Sequence, residues 1–348
     1  MQTACKPMIH VHYVHRTLTA FILLTIAAFQ PAAAHQNYTI KDLGTLPGSD
    51  LSTAGPINER GQTVGYSILA NGEQHATLYE HGKVIDLGLF DGGTSAGAYG
   101  INERGQAVGY AFIATEYPHA ALFDKGAVTD LGLLPGGDNS TAYGINNRGA
   151  AVGYSFDSTR ASHAVLFEKG VVTNLGTLPG GFYSSANSIN DRGQIVGWST
   201  TSDNNQHAFL FDKGVMTNLG ALPGGNSSAA YAINNRGQVV GSSSTAGGND
   251  HAFLYEKGVM IDLGTLPGGN SSTAHSINER GQIVGSSSIA SGNSHAFLYE
   301  RGVMTDLGTL PGGDGSNASG INDLGEISGS SATAYSPSHA VLWSTERR

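Results

Sequence analysis

Cysteine is nearly missing from this 348-residue chain. Its single cysteine, Cys5, stands ahead of an apolar run, Leu18–Phe29, which leads to Ala32-Ala33-Ala34. Residues 1–34 hold Lys6, Arg16 and no acid. A positive start, a short apolar stretch and small residues at its end form the pattern of a secretory signal. The run is 12 residues long, against about 20 needed to span a bilayer, so cleavage after Ala34 is expected rather than anchoring. The mature chain, 35–348, then has no cysteine. That excludes disulfides, a thiolate nucleophile and thiolate metal ligands. The expected location is extracellular or periplasmic.

Charge is scarce as well, at 13% of residues. Beyond residue 34 the chain carries 27 acids against 16 Lys and Arg, a formal charge of −11. Such a chain repels phosphate backbones, which argues against nucleic acid as a partner. The expected partner is a protein or a carbohydrate at the cell exterior, met by a monomer with no membrane span in its mature part. The sequence also lacks a zinc-binding HExxH, a Lys-Ser or Lys-Thr after its glycine pairs, and a calcium loop of alternating Asp before Gly.

What is present in excess is glycine, 50 residues, and a repeat. An Ile-Asn dipeptide places Asn at 58, 102, 146, 190, 234, 278 and 322, and a His-Ala dipeptide places His at 75, 119, 163, 207, 251, 295 and 339. Both series step by 44 residues. A period of this length marks a repeat architecture and overrides a length-based guess of two domains.

One unit shows the elements. ANSIN (186–190) reads as a short strand, DRG as a turn, QIVGWS (194–199) as a second strand, and TTSDNNQ (200–206) as a polar loop. HAFLF (207–211) is a third strand, DKG a turn, and VMTNLG (215–220) a fourth, before ALPGGNSS leads onward. Four short strands joined by Gly-containing turns make one antiparallel sheet. The third strand is apolar on successive positions, which requires cover on both faces. A sheet stacked between copies of itself meets that need, so the expected fold is an all-β, seven-bladed β-propeller. Residues two and four before each Asn are small, which suggests one face of an innermost strand crowded at the axis, with the adjacent Ile turned to the other. Residues 37–44 read as a fourth strand and residues 339–343 as a third. The N-terminal strand is therefore expected to complete the last blade and remove its open edge.

The combination IN-x-RGQ-x-VG, HAFLY-x-x-G and DLGTLPGG, over about residues 38–343, resembles the HAF-type extracellular repeat proteins of bacteria. The resemblance implies a secreted or surface-exposed protein and carries no catalytic residues to transfer. The first unit departs at His75-Ala76-Thr77 and LPGSD, and the last at Leu324 and His339-Ala340-Val341.

The repeated residues read as structural. A zinc site needs three or four ligands about 2 Å from one point, whereas seven HA histidines spread around a ring. Each is expected to bond a neighbouring loop, and each IN asparagine its own turn. Function is expected where the repeats differ, in the loop between second and third strands. That loop should share a face with the LPGG crossing, and this face collects 14 acids against Lys41 and Arg160. It should attract basic surfaces or cations; calcium, with its preference for carboxylate oxygen, is the metal that suits it. The candidate ligand-binding residues are Glu116, Tyr117, Asp157, Arg160, Trp198, Asp203, Asp250 and His275. The same set with Tyr183, and without Asp250, would serve an enzyme, a lyase or hydrolase acting on an extracellular polymer or glycoconjugate.

Overall fold

The computed structural model describes residues 38–113, 117–336 and 338–345. The expected signal segment with Cys5, and Glu116, lie outside them. The described residues form 28 strands in seven four-stranded antiparallel sheets. The architecture is the expected seven-bladed propeller. Blades 1 to 6 occupy residues 49–86, 96–132, 140–176, 184–220, 228–262 and 272–306. Blade 7 takes three strands from residues 316–345 and its outermost strand, Tyr38–Gly44, from the chain's other end. The register of that closing pair runs from Tyr38 opposite Thr345 to Gly44 opposite Ala340.

Blades adhere through apolar layers. In blade 4, Ala186, Ile189, Ile195 and Phe209 pack onto Val152 and Ala164 of blade 3. On the opposite face, Val196 and Ala208 pack onto Ala230, Ile233 and Phe253 of blade 5. Both faces of the third strand are thus covered, which explains its unbroken apolar sequence.

The innermost strand departs from simple alternation. Ala186 pairs with Gly197 and Ser188 with Val196, so Asn187 is the extra residue of a β-bulge. The same shift recurs in blades 2, 3, 5, 6 and 7. A bulge reverses the sense of alternation beyond it. The expectation that residues two and four before the Asn share a face is therefore corrected. Ala186 and Ile189 face the preceding blade, while Ser188 turns the other way. Gly144, the counterpart of Ser188, shows where: a Cβ there would lie 3.0 Å from the Asn187 carbonyl of the following blade. Close approach of adjacent inner strands thus explains the small residues, from both sides. The bulge also presses backbone onto the second strand. A Cβ on Gly153 would lie 1.8 Å from the Thr141 carbonyl, so the VG glycine admits no other residue.

Two rings of hydrogen bonds close the assembly at the turn end of the inner strands. The IN asparagine does cap its own turn, since Asn190 Oδ1 accepts from the amides of Arg192 and Gln194. Its Nδ2 also donates to the carbonyl of the next blade's asparagine. The donors are Asn58, Asn102, Asn146, Asn190, Asn234, Asn278 and Asn322, and Asn322 donates back to Asn58, all at 3.0–3.2 Å. Each of these side chains is 5% exposed or less. Alongside runs a second ring, in which each following residue's amide donates to the side chain of its counterpart one blade on, from Glu59 to Glu103 and finally from Asp323 back to Glu59. At the other end, serine hydroxyls bridge blades. Ser184 accepts from the Ala164 amide at 2.8 Å and donates to the Gly176 carbonyl at 2.7 Å.

Deleting residues 35–44 should lower the melting temperature by more than about 10 °C in calorimetry, because blade 7 would lose a whole ladder of hydrogen bonds and expose its third strand. Melting at the parent temperature would refute closure by the N-terminal strand.

Candidate functional site

The bulge residue has no place in an interblade layer and turns toward the axis. Around the ring this position holds Gly55, Tyr99, Tyr143, Asn187, Tyr231, His275 and Ser319. All seven line a central cavity of about 820 Å³, within the size range of small-molecule sites. A second variable position lies on the second strand, eight residues after each Asn, and contributes Tyr154 and Trp198 to the cavity. It holds Tyr66, Tyr110, Tyr154 and Trp198 in blades 1 to 4, and Ser242, Ser286 and Ser330 in blades 5 to 7. The channel is consequently asymmetric inside a symmetric frame.

Rings form a continuous chain along one side. Phe112 meets Tyr110 at 6.0 Å, Tyr110 meets Tyr99 at 5.7 Å, and Tyr99 meets Tyr143 across the blade boundary at 5.6 Å. Tyr143 then meets Tyr154 at 5.9 Å, and Tyr154 meets Phe156 at 5.7 Å. Tilted and edge-on pairs at these separations are the favoured aromatic geometries. Burial pushes the Tyr143 phenol up to about 12 and raises those of Tyr99 and Tyr110, so they stay neutral donors. Elsewhere the lining has Asn187, Asn317, serines, and His275 against Tyr231 at 6.1 Å. His275 Nδ1 lies 3.0 Å from the Ala318 carbonyl. Desolvation holds its imidazole below the ordinary range, so it is neutral at pH 7. The described lining contains no Asp, Glu, Lys or Arg.

The candidate residues separate into groups. Trp198 and His275 line the cavity. Tyr117, Asp157 and Arg160 gather on the rim between blades 2 and 3. There Arg160 reaches the Tyr117 hydroxyl at 3.4 Å and Asp138 at 3.3 Å, with its guanidinium 5.8 Å from the centre of the Tyr117 ring. Asp157 is a turn cap. It accepts from the Thr159 hydroxyl and amide and from Ala161, and it meets His163 at 3.0 Å. These bonds, from Thr159 and His163 first, hold its carboxyl below the usual range. Asp203 caps its loop likewise, bonded to Thr201 and Asn205. Asp250 is exposed at the head of the third strand Asp250–Glu256.

The acidic face also needs correction. The HA histidines mainly bond the fourth strand, not a loop. His75, His119, His251, His295 and His339 pair through Nδ1 with Asp86, Asp130, Asp262, Asp306 and Asp42 at 2.6–2.9 Å, and His207 pairs with Asn218. Loop partners are held as well: His163 meets Asp157 at 3.0 Å and His207 Nε2 lies 3.2 Å from the Asn226 carbonyl of the blade crossing. Each fourth-strand carboxylate also caps a backbone amide two residues on, as Asp86 does for Gly88 at 2.8 Å. Six of the 14 rim acids are thus engaged in holding strands. Among the described residues, no three His, Cys, Asp or Glu side chains converge as a metal site.

The residues missed in the sequence are Tyr99, Tyr143, Tyr154, Tyr231, Asn187 and Asn317. Their signal was present: three register positions, five and three before each repeat Asn and eight after it, vary from repeat to repeat. Reading it required the bulge, which strict alternation hides. GTSAG (93–97) has the G-x-S-x-G spacing of a hydrolase elbow. It leads into the inner strand Ala96–Ile101, not from a strand into a helix, and the Ser95 hydroxyl donates to the Gln74 carbonyl at 3.2 Å. The elbow's context is absent.

No protein-family profile and no curated protein matches the chain. Three solved structures resemble it in shape. A puromycin-hydrolyzing peptidase of Mycobacterium tuberculosis aligns with TM-score 0.59 and 12% identity over 90% of this chain and 56% of its own. The β-propeller domain of the Trilobed protease from Pyrococcus furiosus, described as having an open velcro topology, aligns with TM-score 0.54 and 10% identity over 86% and 97%. An acylaminoacyl peptidase of Pyrococcus horikoshii aligns with TM-score 0.54 and 12% identity over 85% and 51%. The chain thus spans about half of each full-length peptidase. At such identities the likeness establishes the propeller fold alone. No helix among the described residues is long and apolar enough to cross a membrane.

His275 gives a pH dependence with a definite sign. Because burial lowers its folded value, the unfolded chain takes up the proton first as pH falls. Stability from this residue is intact above the ordinary imidazole value and is lost as pH drops through it toward the lowered one. In urea titrations, the fall in unfolding free energy from pH 8 to pH 5 should be smaller in His275→Gln than in the parent. An equal fall in both would contradict the assignment.

Proposed function

We propose that the chain is a non-enzymatic binding propeller that takes a neutral, small-to-medium ligand in the aromatic-walled channel. The observation that carries this reading is the wall itself: Tyr99, Tyr143, Tyr154 and Phe156 line the cavity in successive ring contacts, backed by Tyr110 and Phe112, and meet an uncharged polar lining. Nothing in that lining would balance a charged ligand, and burying an unpaired charge is costly. With residues 1–34 read as an export signal, the ligand is one met outside the cytoplasm. The acidic rim, the first expectation, becomes a surrounding surface. Catalysis is the weaker reading, because His275 is the one general-base candidate of the described lining and has no carboxylate beside it.

A tryptophan-fluorescence screen of neutral, anionic and cationic small molecules, with calcium included, tests this. Neutral compounds should bind, and Tyr143→Ala should weaken them about tenfold, the scale of one well-placed aromatic contact. Binding of charged compounds or calcium that survives Tyr143→Ala but fails in Arg160→Ala would return the site to the rim.

A further inference from the structure

The cavity does not share the seven-fold symmetry of the frame. Its lining extends outward between blades 3 and 4, where Tyr154, Phe156 and Ser162 face Ser185 and Trp198. The crossing that joins these blades carries Phe182-Tyr183. Corresponding crossings carry polar pairs such as Asp138-Asn139, Asn226-Ser227 and Asn270-Ser271. Phe182 is 68% exposed and Tyr183 45%. Their backbone is fixed. Both amides donate to the Thr200 hydroxyl, at 2.9 and 3.0 Å, and the Thr200 amide donates back to the Tyr183 carbonyl at 2.9 Å. Thr200 is two residues from Trp198. Single exposed apolar side chains need no explanation, but here two adjacent rings stand on a held backbone, two and three residues before Ser185 of the cavity lining.

We infer that the ligand is a neutral oligosaccharide whose end sits in the channel and whose chain leaves between blades 3 and 4, across Phe182 and Tyr183. The inference rests on the channel reading above and specifies its ligand. A pyranose offers an apolar face to a ring and a rim of hydroxyls to side chains. The tyrosine wall and Trp198 receive the first; Asn187, Asn317 and the serines at 162 and 185 receive the second. Asn317 Oδ1 is buried near the His275 imidazole with no well-aligned hydrogen-bond partner among the described residues, and an apolar chain would leave it so at a cost. An anionic polysaccharide would meet the acidic rim and find no cation in the channel.

The test is fluorescence titration of the full chain with di- and hexasaccharides of neutral glucan, mannan and chitin series. In one series the hexasaccharide should bind about tenfold tighter than the disaccharide, the scale of two added stacking contacts. The double variant Phe182→Ala/Tyr183→Ala should bring the hexasaccharide to within about twofold of the disaccharide, leave disaccharide affinity unchanged, and melt like the parent. Equal affinity for both lengths in every series, or equal loss of both in the double variant, overturns the outlet. N-phenyl-1-naphthylamine, neutral and apolar, separates the two levels. If it binds in a Tyr143-dependent way while no saccharide does, the channel reading stands and the saccharide falls; if neither binds, both fall.

Discussion

The structure depends on a buried amide passing from blade to blade. A propeller's inner strands converge at the axis, where there is no room for bulky packing and little apolar area to hold neighbours together. The IN asparagine meets that constraint with one small side chain. Its oxygen closes its own turn and its nitrogen reaches the next blade's backbone. The acceptor is a backbone carbonyl, so every repeat supplies donor and acceptor alike, and the series closes only when the seventh reaches the first. A buried hydrogen bond contributes about 1 kcal/mol net, whereas a buried group left unpaired costs about 1–3 kcal/mol. Ring closure therefore matters most through what an open ring would leave unsatisfied.

The second ring explains a choice that composition alone makes look like surface charge. The residue after the asparagine is Glu, Glu, Asn, Asp, Asn, Glu and Asp in turn. Charge is not what these share. Each has a side-chain oxygen able to accept an amide from the preceding blade. The carboxylates opposite the HA histidines have a comparable role at the other face. Much of the acid on this molecule is thus an arrangement of hydrogen-bond acceptors, and the net charge is a poor guide to the ligand.

With both ends secured, the middle of the inner strand is free to vary. The bulge leaves one residue per blade outside the interblade layers, and the second strand adds another beside it. Tyrosine fills these positions through one half of the ring and Ser, Asn or His through much of the other. Chemistry can thus be asymmetric without disturbing the packing that repeats.

The period, the four strands, the stacking and the closing strand were legible because each has a local signature: a dipeptide every 44 residues, glycine turns, an unbroken apolar run, and unmatched strands at the two ends. Trp198 and His275 were legible as departures from the repeat. The aromatic wall was not, because strict alternation assigned the bulge residue to no face, and Tyr99 and Tyr143 were read past. The role of the rim acids was half legible for a related reason: five of them bond histidines of the adjoining strand, and that pairing leaves no mark in the sequence. The measurement that tests the central claim is side-chain amide hydrogen exchange, followed by NMR. Closure predicts that the seven ring asparagines exchange alike, Asn322 included, and far more slowly than exposed Asn204. Six slow asparagines and a fast Asn322 would contradict it.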